Sequence, residues 1–186
     1  MNTQEEAPVA FVSYSHDSPA HKRWVGAMAS RLIENGVDVI LDQWSISPGA
    51  DLARFMEESV RSADRVLVVC TEEYVRKANG RAGGAGYESM MVTGELIRDL
   101  GSTRFIPLVR QSRRPVELPA ALTTRLYIDF SDDTAYETSV KELLHELHGV
   151  PAIRKPPLGK SHLRVSRTPR GALARGKDPG RCTNWN

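Results

Sequence analysis

The chain has 186 residues, 40% of them hydrophobic and 26% charged, and a net charge of +2, which suits one domain with a full core and no disordered or fibrous class. No apolar run approaches the ~20 residues that span a bilayer, and two cysteines, Cys70 and Cys182, make no disulfide framework. The charge is unevenly spread: residues 151–186 hold nine Lys or Arg against the single acid Asp178, leaving 16 basic and 22 acidic residues in 1–150, so the folded part has no general nucleic-acid footprint.

Residues 1–7 carry neither the basic region nor the apolar core of a secretory signal, and read as a short extension of a cytoplasmic protein. Five apolar runs follow, rich in Val and Ile and with little polar alternation: Val9–Tyr14, Val37–Leu41, Arg65–Cys70, Phe105–Val109 and Leu126–Phe130. That pattern predicts strands covered on both faces. Between the first two, Val25, Met28, Ala29, Leu32 and Ile33 fall on one helical stripe that stops at Asn35-Gly36. Leu52, Phe55, Met56 and Val60 mark a second helix, opened by Pro48-Gly49 with Asp51 at its positive end. A glycine-dense run, Gly80 to Gly86, leads to Tyr87 and Glu88 at the start of a helix expected over 87–100. Thr134 and Glu137 have capping-box spacing, and Tyr136, Val140, Leu143, Leu144 and Leu147 share one stripe of a last helix. Alternating strands and helices imply a parallel sheet with right-handed crossovers and helices on both faces.

The organisation read from this is a domain over 8–150 and a basic, Pro- and Gly-rich tail or linker over 151–186, which suggests that a further domain belongs to the protein. An unstructured tail is the expectation there, with neither nucleic acid nor membrane as partner. His145 and His148, spaced i, i+3, have no evident third ligand, so helix surface is expected rather than a metal site.

In open parallel sheets ligands sit beyond the C-terminal strand ends. Those ends carry Ser13-Tyr14-Ser15-His16-Asp17, Asp42-Gln43-Trp44, Thr71-Glu72-Glu73-Tyr74 and Arg110, a polar and aromatic rim. The first strand–helix turn lacks the glycines of a dinucleotide fold, no Gly-Lys-Ser/Thr phosphate loop occurs, and Cys70-Thr71-Glu72 lacks the phospho-accepting aspartate of a response regulator.

Phe11-Val12-Ser13-Tyr14-Ser15-His16-Asp17-Ser18, then Asn35 to Trp44 with Pro48-Gly49, then Arg65 to Tyr74, then Gly83 to Glu88, together resemble a bacterial SEFIR domain of the Toll/interleukin receptor (TIR) superfamily. The resemblance covers about residues 8–148 and is densest up to 110. It implies a flavodoxin-like five-stranded parallel sheet and homotypic association with other SEFIR or TIR domains in signalling of the bacterial-defence type. Many bacterial and plant members also cleave the nicotinamide–ribose bond of NAD⁺, using a glutamate that falls on Glu88 here. Enzymatic TIR domains usually place Trp-Cys shortly before that glutamate, whereas this chain has Gly86-Tyr87. NAD⁺ would be substrate, with no cofactor and no metal.

In that reading Glu88 is the catalytic carboxylate, Trp44 stacks on nicotinamide or adenine, Tyr14 or Tyr74 forms another wall, and Ser13 and Ser15 hold phosphate or ribose hydroxyls. Each residue also has a plainer role. Glu88 is an acid favoured at a helix N-terminus, worth ~0.3–1 kcal/mol there. Glu95 competes for its face, Trp44 anchors a loop, and Tyr74 packs. The alternative from another class is a non-enzymatic adaptor that only recruits like domains.

Overall fold

A computed structural model describes residues 6–80 and 102–160. Contacts divide the chain after Ile153. In the first unit, five parallel strands form one sheet: β1 (Val9–Ser13), β2 (Asp38–Ile40), β3 (Arg65–Cys70), β4 (Phe105–Val109) and β5 (Ile128–Asp129), in the order β2-β1-β3-β4-β5. This is the flavodoxin-like order, which reverses direction between β1 and β3. Register is set along the buried centre: Ser13 lies opposite Val68, and Val69 opposite Leu108. In the second unit, residues 154–160 are exposed and carry no helix or strand.

The helices are α1 (Pro19–Ile33), α2 (Asp42–Ser45), α3 (Leu52–Ser62), α4 (Glu72–Asn79) and α5 (Tyr136–Leu147). Successive strand side chains point to opposite faces, and the core divides accordingly. Ala10, Val12, Leu67, Val69 and Leu108 pack with Met28 and Leu32 of α1 and Leu143 of α5. Phe11, Val66, Val68 and Cys70 pack with Met56 and Val60 of α3 and Tyr74 of α4. Among the described residues, no helix is long and apolar enough to cross a membrane.

Local chemistry sets the helix ends. Ser18 caps α1, accepting from the His21 amide at 3.1 Å, and Pro19 takes the first-turn position that needs no N–H. Gly36, at φ +82°, turns the chain after α1 as Asn35-Gly36 predicts. Asp51 caps α3 through the Arg54 amide. The last carbonyls of α3 meet a cation from the start of β4: the Arg104 guanidinium donates to the Ala63 and Val60 oxygens. Thr71 caps α4, with Glu72 and Glu73 in its first turn and Arg76 and Lys77 in its last, matching the helix dipole at both ends.

Two expectations need correction. Thr134 is not the cap of α5: Asp132 accepts from its amide and its hydroxyl, a short 3₁₀ turn over Asp133–Ala135 follows, and α5 starts at Tyr136 without a side-chain cap. The last strand is shorter than its apolar run, because Leu126 (95% exposed) and Tyr127 lie outside the sheet. His145 and His148 lie at the helix surface as expected, and each ring also meets a backbone carbonyl. The first ring faces the Val150 carbonyl at 3.1 Å, and the second lies 2.9 Å from the Asn35 carbonyl, tying α5 to the turn after α1. The helix expected over 87–100 lies outside the described residues.

Candidate functional site

The strand-end rim is built around Asp17. Its carboxylate accepts from the Ser15 hydroxyl and, at 2.6 Å, from the Thr71 hydroxyl. Thr71 also caps α4, accepting from the Tyr74 amide at 3.1 Å. The Ser13 and Tyr74 hydroxyls share a 3.2 Å hydrogen bond. Ser13, Ser15, Asp17, Thr71 and Tyr74 therefore form one connected network that bridges the ends of β1 and β3, where the strand order reverses. Charge-assisted bonds to Asp17 are the stronger links in it.

Tyr14 belongs to the other face. Its hydroxyl donates to Asp42 at 2.8 Å and accepts from the Gln43 amide group at 3.0 Å. The His16 ring reaches the second Asp42 oxygen at 2.8 Å. These bonds join the end of β1 to α2, which carries Trp44 half-exposed (49%). Past α2, Pro48 and Gly49 are exposed, and Gly49 takes φ +91°.

The five rim residues nominated from sequence thus separate. Ser13, Ser15 and Tyr74 come together, Tyr14 sits across the sheet, and all four are no more than 4% exposed. Trp44 alone presents a broad surface. Glu88, Tyr87 and Glu95 lie outside the described residues.

A second cluster escaped the sequence reading. The Arg110 guanidinium stands 4.3 Å from the centre of the Trp24 ring and donates to the Phe130 carbonyl and to Asp133, both at 2.8 Å. Trp24 packs edge-on against Phe130 and Tyr136 and stacks with His21, whose ring is 6.0 Å from Tyr14. Arg110 and Trp24 are 86 positions apart, and no local pattern announces their pairing. Behind the rim, Gln111 is buried and ties the end of β3 to the loop after β4: it donates to the Cys70 carbonyl at 3.1 Å and the Glu117 carbonyl at 2.7 Å, and accepts from the Glu117 amide.

Electrostatics follow from these contacts. Burial raises the Glu72 carboxyl, yet donors from its own backbone, Ser112 and Arg113 outweigh that and hold it below the usual range. Burial alone pushes the Cys70 thiol to about 12, so it is no nucleophile at neutral pH. Burial likewise lowers His21, and Arg110 and His16 reinforce this against the opposing pull of Asp17. The His21 Nε2 is buried and has no hydrogen-bond partner among the described residues.

A histidine whose folded pKa is depressed stays neutral in the fold while the unfolded chain takes up a proton. Its contribution is complete above the ordinary value of 6.5 and is lost as pH falls below it. Melting temperature should therefore fall between pH 7 and pH 5, and His21→Gln should flatten that slope. Parallel slopes in thermal melts of the two proteins would remove His21 as the cause.

A family model described as TIR domain matches residues 10–144. Among solved structures, a prokaryotic SEFIR domain is 35% identical, with a TM-score of 0.66 over 82% of this chain and 100% of its own. The TIR domain of a Toll-related receptor from Hydra magnipapillata (16% identity, TM-score 0.53, 75% of this chain and 97% of its own) shares the fold. So does the SEFIR domain of interleukin-17 receptor B (13%, 0.52, 76% and 98%). No curated protein matches the chain. A family model spanning most of the chain and a prokaryotic relative matched over its whole length agree with the parallel sheet and its strand order. The chain belongs to the TIR superfamily, in its bacterial SEFIR branch.

Proposed function

We propose that this SEFIR domain signals by associating with copies of itself and, once associated, hydrolyses NAD⁺ at the nicotinamide–ribose bond with Glu88 as the catalytic carboxylate. The observation that carries the reading is the reversal of strand order between β1 and β3, the place where doubly wound sheets take ligands, crowned here by Ser13, Ser15, Asp17, Thr71 and Tyr74. Family membership supplies the rest.

The chemistry asks little of the protein. The bond from ribose C1′ to the pyridinium nitrogen breaks with both electrons going to nitrogen, so nicotinamide leaves neutral and needs no acid. Positive charge develops on the ribose ring, as in glycoside cleavage. Glu88 faces that charge and accepts from the ribose diol, stabilising the transition state more than the substrate. Water then adds at C1′ and releases a proton. In this scheme exposed Trp44 stacks on a ring of the dinucleotide, while Ser13, Ser15 and Tyr74 shape the floor and Tyr14, across the sheet, braces the helix that carries Trp44. The exposed Pro48-Gly49 loop serves as a partner surface.

The adaptor reading has one observation in its favour: the side chains of Ser13, Tyr14, Ser15 and Tyr74 are buried and bonded within the protein. One experiment separates the two. The chain is clustered on a scaffold and incubated with NAD⁺, and nicotinamide release is followed alongside sedimentation. The wild type should release nicotinamide, and Glu88→Ala should reduce the rate by at least ~10²-fold while associating normally. Association without release leaves the adaptor. Release that survives Glu88→Ala removes the assigned catalyst.

A further inference from the structure

The chain leaves β2 through Leu41, which has no exposed surface, and enters α2 at once. From there packing gives little hold: none of the four residues of α2 is buried, and its N-cap makes no side-chain hydrogen bond. One helical turn of this kind does not persist in water by itself. Polar contacts fix it instead, and they run to two other elements. The Tyr14 hydroxyl, at the end of β1, is gripped from both sides, donating to Asp42 Oδ1 at 2.8 Å and accepting from Gln43 Nε2 at 3.0 Å. That Gln43 nitrogen also donates to the Lys22 carbonyl of α1 at 3.0 Å. Asp42 Oδ1 accepts in addition from the Gln43 amide at 2.7 Å, and the His16 ring closes on Oδ2 at 2.8 Å.

The Tyr14 ring is buried and the Asp42 side chain only 16% exposed, so water competes little for these bonds. The first two residues of α2 thus hold the turn in place. The third is Trp44, its one large apolar side chain, and half of that ring stays in solvent. Fixing a turn whose indole remains in water adds little to the core. What it does supply is orientation, because a ring already held still loses less freedom when a flat partner settles on it.

We infer that Tyr14, Asp42 and Gln43 are positioning residues that hold Trp44 preorganised as a stacking plate for a ring of the dinucleotide. This rests on the NAD⁺-binding part of the function proposed above and not on bond cleavage. The clamp acts on affinity, and it acts through Trp44.

A first measurement needs no ligand: nuclear magnetic relaxation of the Trp44 indole N–H, identified by its loss in Trp44→Phe. In the wild type that group should be as rigid as the helix backbone, and Gln43→Ala and Tyr14→Phe should each set it moving on the nanosecond scale. Tyr14→Phe keeps the buried ring and removes only the hydroxyl, so it decides the matter should Gln43→Ala prove unfolded. An indole that is mobile in the wild type, or rigid in both variants, overturns the inference.

The second measurement is NAD⁺ binding by calorimetry, on the scaffold-clustered chain carrying Glu88→Ala so that the assigned catalyst is absent. Adding Gln43→Ala should weaken binding ~2–10-fold, the scale of one side chain ordered on association, and adding Trp44→Ala ~10-fold or more. With both added, binding should be no weaker than with Trp44→Ala alone, since nothing is left to position. A residue that merely supports the fold gives additive losses instead, and additivity overturns the inference, as does NAD⁺ that fails to bind. Binding with the expected coupling, while the clustered wild type releases no nicotinamide, upholds the clamp and removes the proposed cleavage.

Discussion

Phe11→Ala is expected to cost about 3–5 kcal/mol, the range for emptying a fully buried aromatic site. Phe11 has no exposed surface, lies on β1 between β2 and β3, and meets the Phe55 ring edge-on at 6.3 Å. Both neighbouring strands are held in register by hydrogen bonds, so the sheet cannot close over the void without breaking its ladder. For a chain of this size each kcal/mol lowers the melting temperature by ~2–4 °C, which predicts a fall of roughly 6–20 °C. Phe11→Leu should cost less than ~1.5 kcal/mol. Thermal and urea melts of the two variants check both figures. A loss under ~3 °C for the alanine variant would mean that α3 collapses into the space.

Gln111→Leu should be the next most damaging change, at roughly 2–4 kcal/mol. The leucine fills a similar volume but offers no polar atoms. The Cys70 carbonyl then loses the Gln111 side-chain donor at the end of β3, and the Glu117 amide and carbonyl lose the contacts that close the loop over residues 111–117. Each orphaned buried group costs ~1–3 kcal/mol; water reaching the exposed Glu117 reduces the sum. Glu72 holds the same loop from the other side through the Ser112 and Arg113 amides. A loosened loop should therefore expose Arg113 to trypsin faster than global unfolding does, while Glu72→Gln gives a weaker version of the same nick. Unchanged cleavage in Gln111→Leu would show that Glu72 alone secures the loop.

The centre of the sheet was readable because its chemistry is local. Arg65–Cys70 and Phe105–Val109 are found at the bounds their composition predicts, and β1 differs by one residue. Continuous Val- and Ile-rich runs have no other way to bury both faces. At the edges that logic fails: Leu126 and Tyr127 are apolar in type but stand largely in solvent, 95% and 42% exposed. Helix α4 was missed for the opposite reason. Only Tyr74 and Val75 of its eight residues are buried, so it has almost no hydrophobic stripe. Its signature is electrostatic, a Thr cap with acids first and bases last, and the same residues pass equally well for a polar rim.

The candidate site divides along the same line. Which residues stand at the strand ends followed from the alternation of strand and helix. Which of them share a face did not, since Ser13 and Tyr14 point to opposite sides and only the pleat decides that. Asp17 was visible as part of a motif, yet its partner Thr71 comes from another strand end, 54 positions away. Arg110 over Trp24 is of the same kind, a contact fixed by sheet order and not by any spacing.

The sheet ends in a three-residue strand on one side and a two-residue strand on the other. Neither offers a run of backbone groups long enough to template a further strand. Copies crowded together are thereby protected from fusing through main-chain ladders, the route by which concentrated β-proteins become permanent aggregates. The self-association proposed above is then left to side chains on loops and helices, contacts that dilution and salt weaken. On that proposal, a domain with such edges can be gathered to high density and afterwards dispersed.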